Sequence, residues 1–172
     1  MQNRHELFDV VDAHDRVTGC APRWLVHARG FRHRAIHVLV FDLTGRLYVQ
    51  KRSATKDTFP GHYDSSTSGH LDAGEDYDAC AVRELQEELG FTLPRRHLRR
   101  HFKIPASRET GWEFVWVYSV HGDYRPQPNP DEIESGAFLT RDEVETLPDC
   151  APAFRRIVRE LRTRGLFPLQ CR

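Results

Sequence analysis

A predicted helix between Asp76 and Leu89 constrains this chain more than any other segment. At about 100° per residue, three glutamates fall within an arc of roughly 100°: Glu84, Glu87 and Glu88. Three apolar residues fall on a separate arc: Val82, Leu85 and Leu89. Gly90 follows at the position where a left-handed residue commonly ends a helix. The segment therefore predicts a helix with one buried face and one face of crowded carboxylates.

The crowded carboxylates indicate a bound cation. Like charges three and four positions apart repel each other and weaken a helix. Carboxylate oxygens suit a hard ion, so we expect Mg²⁺, with Mn²⁺ as the alternative. A solvated acidic face is the other interpretation, but the flanking residues favour a site. Gly69 and Gly74 bracket a tight approach to the helix, and Glu75 lies at its N-terminal end, where the dipole favours an acid. Arg83 adjoins Glu84 and can orient a carboxylate.

The spacing of these residues resembles the Nudix box. That box is Gly, five residues, Glu, seven residues, Arg-Glu-aliphatic, any residue, Glu-Glu, any residue and Gly-aliphatic. The matching residues are Gly69, Glu75, Arg83, Glu84, Leu85, Glu87, Glu88, Gly90 and Phe91, with an aromatic in the last slot. The resemblance implies a Nudix-type α/β/α sandwich, an α/β fold with a mixed sheet and a loop-helix-loop catalytic motif. It also implies an Mg²⁺-dependent hydrolase of a diphosphate linkage, such as a nucleoside diphosphate joined to a group X.

The resemblance assigns roles within the box. Glu84, Glu87 and Glu88 would be metal ligands, and one of them, or a glutamate from another loop, would activate water as the general base. Arg83 would hold a carboxylate in place. We therefore expect Arg83, Glu84 and Glu87 to be catalytic. The motif glycines are Gly69, Gly74 and Gly90.

Outside this helix, the chain alternates between strands and loops before a second long helix. Its 172 residues suit a single Nudix domain, 1–172. Mixed strands with two long helices predict an α/β sandwich. Strands are predicted at 6–12, 17–21, 35–41, 46–51, 98–104, 112–121 and 136–139, with an extended segment at 62–68. The second helix is predicted at 151–164, and the segment 24–30 is ambiguous.

The composition excludes some partners and favours a compartment. With 25 basic and 25 acidic residues the formal net charge is zero, so no global field attracts nucleic acid or membranes. No apolar run approaches a membrane span, and the N-terminus shows no signal peptide. The four cysteines are too widely spaced for a disulfide framework: Cys20, Cys80, Cys150 and Cys171. We expect a cytoplasmic protein with a small-molecule diphosphate substrate, and a homodimer as the common default for small enzymes.

Several segments outside the box resemble the isopentenyl diphosphate isomerase-like branch of the family. They are 11–16, 32–35, 51–53, Lys56, 59–61 and 63–66. By this resemblance Arg52 and Lys56 would face the substrate diphosphate, where arginine offers a fork and lysine a point charge. A basic surface loop is the equal alternative.

One position separates this chain from the isomerases. They carry a reactive cysteine directly before a Gly-His pair, and here that slot is Ser68, before Gly69 and His70. A hydroxyl is a far weaker acid than a thiol, so protonation of an isolated alkene is poorly served. The intact box also favours hydrolysis. Cys80 does not replace the missing thiol, and we expect it to be a small packed residue.

Four further residues match approximately the positions at which the isomerases bind a second metal: His27, His33, His70 and Glu113. The match at His27 needs a gap of one residue, and a further isomerase glutamate corresponds to Gly111. Ordinary polar residues are the more common interpretation of scattered histidines.

Two alternative functions stay open from the sequence. One is isopentenyl diphosphate isomerase, which Ser68 disfavours. The other is a binding module that kept the fold and lost catalysis, which the three retained glutamates disfavour. The sequence does not identify the group X, although four aromatic residues are candidates for stacking on it: Phe59, Tyr63, Trp112 and Tyr124.

Overall fold

The computed structural model describes residues 6–168. The chain begins with an antiparallel hairpin of β1 (Leu7–Val11) and β2 (Val17–Pro22), followed by the short helix α1 (Arg23–Arg29). The segment that the sequence left ambiguous is therefore a helix, which ends at Gly30 in the left-handed conformation.

A second, seven-stranded sheet forms the centre of the described structure. Its strands are β3 (His33–Phe41), β4 (Leu47–Arg52), β5 (Tyr63–Asp64), β6 (Thr67–His70), β7 (Arg99–Ile104), β8 (Glu113–His121) and β9 (Ile133–Leu139). The pair β3–β8 is parallel and the other pairs are antiparallel. This confirms the predicted mixed sheet.

Helices cover both faces of this sheet. The helix α2 (Tyr77–Leu89) packs on one face, and its buried residues include Leu85 and Leu89. The helix α4 (Pro152–Thr163) packs on the other face through the four apolar residues expected from its periodicity: Phe154, Ile157, Val158 and Leu161. The arrangement is the predicted α/β/α sandwich.

The two middle strands β3 and β4 separate soon after the turn that joins them. They pair directly at Phe41 and Leu47 only, and β6 then takes the freed edge of β3, while β5 and β9 pair with β4. Residues 35–37 of β3, which pair with β6, line the cleft described below.

The short helix α3 (Arg141–Thr146) was not predicted. It carries a capping box in which Thr140 and Glu143 satisfy each other's backbone donors, and that Thr-x-x-Glu pattern was the available signal. The predicted strand at 136–139 is longer and begins at Ile133. Within the described part of the chain, no helix is long and apolar enough to span a membrane.

Candidate active site

The three box glutamates lie on the predicted side of α2, but in two environments. Glu84 and Glu88 are buried, with 8% and 4% of their surface exposed, whereas the Glu87 side chain is 56% exposed. Leu85 and Leu89, on the apolar face, are fully buried. The helix begins at a hydrogen bond from the Ala79 amide to the Asp76 carboxylate and ends at left-handed Gly90. The helix prediction is confirmed, and so is the facing of Leu85 and Leu89, whereas Val82 is only half-buried.

Arg83 connects the carboxylates of the loop and the helix. Its Nη1 donates to Glu84 at 2.8 Å and to Glu87 at 3.1 Å. Its Nε and Nη2 form a fork on Glu75 at 3.0 and 2.9 Å, and Nη2 also reaches the carbonyl of His70 at 3.0 Å. A planar guanidinium suits this bridging task. Arg83 therefore lies where it can hold carboxylates in place, as expected.

Glu88 is held by two groups that the sequence did not single out. Its Oε2 accepts hydrogen bonds from Thr67 Oγ1 at 2.6 Å and from Gln50 Nε2 at 3.1 Å. Lys56 Nζ lies 3.8 Å from its other oxygen. Gln50 and Thr67 come from β4 and β6, so only the register of those strands brings them to the helix.

Without a cation, the charged forms of the two buried glutamates are destabilised. Burial, together with the charge of Glu88, raises the pKa of Glu84 well above its ordinary value. Burial likewise raises the pKa of Glu88, against the opposing effect of Lys56. Buried, mutually repelling carboxylates fit a divalent cation, because its charge offsets both penalties.

Gly69 is required by close packing. A Cβ at this position would lie 2.0 Å from Oε1 of Glu84, so any larger residue would displace the carboxylate. Gly74 has φ = 80°, a conformation natural to glycine, and its amide donates to Asp9 of the hairpin. The glycines of the motif thus set the approach of loop, strand and helix.

The structure places Arg52 and Lys56 on the wall of the cleft, each with an acidic partner. Arg52 is 3.0 Å from Asp64 and also donates to the Thr58 carbonyl. Lys56 forms a close ion pair with Glu132. Glu132 was not identified from the sequence, and it lies in the loop before β9 with no motif to mark it.

A second cluster forms where strands begin and end. His33 starts β3, Glu113 starts β8 as its register partner, and His70 ends β6. His27 joins them from the last turn of α1. Each of the three histidines offers a ring nitrogen, and these atoms lie within 4.8 Å of one another. The approximate match seen in the sequence therefore corresponds to one place in the structure.

The bonding of His33 fits a metal ligand. Its Nδ1 lies 2.9 Å from the Phe31 carbonyl, which accepts the ring proton and leaves the lone pair on Nε2. That Nε2 is buried without a hydrogen-bond partner in residues 6–168, at 3.7 Å from the Glu113 carboxylate. A backbone carbonyl commonly orients a metal-binding imidazole in this way.

The other members of the cluster are also suited to binding a cation. His70 Nε2 lies 3.0 Å from Glu113, and burial lowers the pKa of His70 to about 4, which favours the neutral ring. Burial and the nearby His33 lower the pKa of His27 to about 4 as well. The ring of Phe8, on β1, stacks on the ring of His70 with 4.9 Å between the ring centroids, and it covers the cluster. The hairpin is therefore part of this site, which the sequence did not indicate.

One cleft of about 550 Å³ is lined by the three box glutamates and by His70 and Glu113 of the second cluster. Ser68, in the slot of the isomerase thiol, lies on its wall. Cys80 is fully buried, and its thiol lies 3.4 Å from the His70 carbonyl, which confirms a packed residue. Among the described residues Cys20, Cys80 and Cys150 are free thiols, and Cys171 lies outside that range.

Of the four aromatic stacking candidates, Phe59 lines this cleft. The other three lie elsewhere: Tyr63 packs on the apolar core under α4, Trp112 lies under Arg32, and Tyr124 stacks on Phe91.

Comparison with known proteins places this geometry in a family context. A family model described as NUDIX domain matches residues 31–161. An uncharacterized Nudix hydrolase of Streptomyces coelicolor is 38% identical over 166 residues, covering 91% of this chain and 91% of that protein. The isopentenyl-diphosphate delta-isomerase 2 of Photorhabdus laumondii is 33% identical over 149 residues, covering 86% of this chain and 84% of that protein.

Solved structures share the fold. A crystal structure of a protein from Deinococcus radiodurans superposes with a TM-score of 0.76 at 26% identity, covering 90% of this chain and 98% of that one.

Proposed function

This chain belongs to the Nudix family and is a Nudix pyrophosphohydrolase, and we propose that it cleaves its diphosphate substrate with Mg²⁺ held by Glu84, Glu87 and Glu88. The observation that carries the proposal is the pair of buried carboxylates, Glu84 and Glu88, on one helix face beside the cleft. Mn²⁺ suits the same oxygen ligands.

The three glutamates have different environments, which suit different roles. Glu84 and Glu88 are fixed by Arg83, Gln50 and Thr67, so they suit the task of holding a cation in one position. When bound, a divalent cation neutralises phosphate charge and lowers the pKa of water. The Glu87 side chain is 56% exposed and accepts a hydrogen bond from Arg83 at Oε2, so its other carboxylate oxygen can accept a proton from the attacking water.

Arg83 and Lys56 supply the remaining electrostatics. Arg83 keeps Glu84 and Glu87 at a constant separation, so that their charges are arranged before substrate binds. Lys56 can leave Glu132 for a phosphate oxygen, since its ammonium is a mobile point charge. Arg52 is fixed by Asp64 and presents the cleft with a guanidinium of constant position. The reaction is attack of water on a diphosphate phosphorus.

We also propose that His27, His33 and His70, beside Glu113, hold a second cation. Imidazole ligands suit borderline transition-metal ions better than Mg²⁺. The orphaned Nε2 of His33 is the observation that favours this over three ordinary histidines.

The experiment that tests the proposal is a substrate panel with and without metal. Release of product would be measured from nucleoside diphosphate sugars, dinucleoside diphosphates and isoprenoid diphosphates, in Mg²⁺ and in excess chelator. We expect hydrolysis of at least one diphosphate in Mg²⁺ and its loss in chelator. Full activity in chelator, or no hydrolysis of any diphosphate in Mg²⁺, would contradict the proposal.

Isomerisation of isopentenyl diphosphate is the second candidate, favoured by the isomerase relative and the histidine cluster. Ser68 in place of a thiol argues against it, because the alkene carbon is a very weak base. Incubation with isopentenyl diphosphate and Mg²⁺ should give no dimethylallyl product by NMR. Formation of that product at an enzymatic rate by the wild-type chain would favour isomerase over hydrolase.

A further inference from the structure

The cleft has a second polar wall, apart from both clusters, and the proposed hydrolysis does not use its histidine. It is formed by His37 of β3 and by Asp64 of β5. His37 pairs in register with Ser68, so both lie on the face of the sheet opposite to the one that Gly69 presents to Glu84. His37 is buried at 5% exposure, and a histidine there must have its polar atoms satisfied.

The acceptors around His37 favour a proton on its Nδ1. Nδ1 is 2.7 Å from Ser65 Oγ. Two acceptors flank the Ser65 hydroxyl, the Thr67 carbonyl at 3.2 Å and the Asp64 carboxylate at 3.5 Å, and with its one proton toward either of them Oγ accepts from His37. The Asp64 carboxylate, 3.7 Å from the same nitrogen, also favours a proton on Nδ1. Nε2 of the neutral ring therefore carries the lone pair.

His37 lines the cleft, and its Nε2 is an unused acceptor. It has no hydrogen-bond partner in residues 6–168, and it is not among the fully enclosed polar atoms of that range. Burial lowers the pKa of His37, which keeps the ring neutral at pH 7. A buried acceptor that lines a substrate cleft awaits a donor, because leaving it unpaired is costly.

The surroundings of His37 are small or polar. Ala35 and Ala151 also line the cleft, and Ala35 lies two residues before His37 on β3, so the two side chains project from the same face of the sheet. Asp64 and Arg52 form a buried ion pair at 3.0 Å there. An apolar chain placed against this wall would cover the imidazole acceptor without satisfying it, at a cost that a hydroxyl group avoids.

We propose that His37 Nε2 accepts a hydrogen bond from a hydroxyl of the group X, and that the enzyme thereby selects diphosphates with a hydroxylated X over isoprenoid diphosphates. This inference rests on the proposed function and names the class of its substrate. His37 acts on specificity, through a group of X remote from the phosphorus that reacts.

The test compares three variants on two kinds of ligand. His37→Leu removes the acceptor at similar volume, and His37→Gln restores an acceptor oxygen near the position of Nε2. His101→Leu is the matched control, since His101 lies outside the cleft on β7 and bonds to Ser119. The ligands are ADP-ribose and dimethylallyl diphosphate, and the readouts are KM and kcat for each. Binding of their methylene-bridged analogues, which cannot be hydrolysed, would be measured by calorimetry.

We expect wild type to bind the ADP-ribose analogue more tightly than the dimethylallyl analogue. His37→Leu should weaken the former by about 10-fold, raise KM for ADP-ribose with little change in kcat, and leave dimethylallyl binding unchanged. His37→Gln should recover most of the loss, and His101→Leu should match wild type. Equal loss for both ligands, no loss for either, or preference for dimethylallyl diphosphate by wild type would overturn the inference. Because calorimetry needs no turnover, an enzyme that binds the analogue as expected but hydrolyses nothing would contradict only the proposed hydrolysis.

Discussion

The two clusters of the cleft are built in opposite ways. The carboxylate cluster comes from one helix, so that Glu84, Glu87 and Glu88 are neighbours in the sequence and in space. The imidazole cluster takes His27 from α1 and His33 from β3, and it is completed by residues of β6 and β8. A helical period alone brings the first together, whereas the second requires a correctly paired sheet.

The clusters also differ in charge. Glu84 and Glu88 are buried acids, and burial is the main cause of their raised pKa values, to which the charge of Glu88 adds at Glu84. His27 and His70 have lowered pKa values and are neutral donors of lone pairs at pH 7. The first cluster fits a hard cation shared with phosphate and the second a borderline cation held by nitrogen. Substitutions in the first cluster should therefore reduce Mg²⁺-dependent turnover most, and substitutions in the second should reduce the content of bound transition metal.

The largest effect is expected from the box glutamates. Glu87→Gln or Glu88→Gln keeps the size of the side chain and removes its charge, so Mg²⁺ binding and hydrolysis should fall together. We expect turnover to drop by at least about 10²-fold, measured as product release at saturating substrate over a range of Mg²⁺ concentrations.

Glu145→Gln is the control for this prediction, because Glu145 is an acid of α3 that pairs with Arg141 outside the cleft. It should retain wild-type turnover. Near-normal turnover in both Glu87→Gln and Glu88→Gln would refute the assignment of the carboxylate cluster.

A smaller effect is expected where the strand meets the helix. Gly69→Ala introduces a Cβ that would lie 2.0 Å from Glu84 Oε1, so the carboxylate must move. A displaced ligand should cost about 10-fold in turnover. Gly19→Ala is the matched control, since the same addition meets nothing within 4 Å. If both alanine variants keep full turnover, the position of Glu84 does not matter to catalysis.

The smallest effect on hydrolysis is expected from the imidazole cluster. His33→Ala should remove one equivalent of tightly bound transition metal, measured by elemental analysis of purified protein. Its loss of Mg²⁺-dependent turnover should be smaller than that of Glu88→Gln, because His33 does not belong to the carboxylate set. His14→Ala, in an exposed turn, should keep the metal content of wild type. Identical metal content in the His33→Ala and His14→Ala variants would contradict the proposal of a second metal site.

Sequence periodicity was sufficient to predict the parts of the fold that depend on residues close together in the sequence. The amphipathic pattern of α2 gave its facing, and Gly90 gave its end, because both follow from local geometry. The long strands β3 and β8 were also located within a few residues. The three residues of the carboxylate cluster could therefore be named in advance.

Contacts between residues far apart in the sequence could not be predicted from local patterns. Gln50 and Thr67 lie 38 and 21 residues from Glu88 in the sequence. No local pattern around Gln50 or Thr67 indicates that they contact Glu88. The bond between His37 and Ser65 depends on how β3 and β4 diverge. By contrast, α3 has a local signal in Thr140 and Glu143, so its start follows from the sequence alone.

The most direct test of hydrolysis at the carboxylate cluster follows the oxygen of water. The wild-type chain would be incubated with ADP-ribose and Mg²⁺ in H₂¹⁸O, and the products examined by ³¹P NMR and mass spectrometry. Water attack on phosphorus predicts one ¹⁸O in a phosphate product, formed in Mg²⁺ and absent in the Glu88→Gln variant. Cleavage that leaves both phosphate products unlabelled, or labelled product formed equally by Glu88→Gln, would contradict the account.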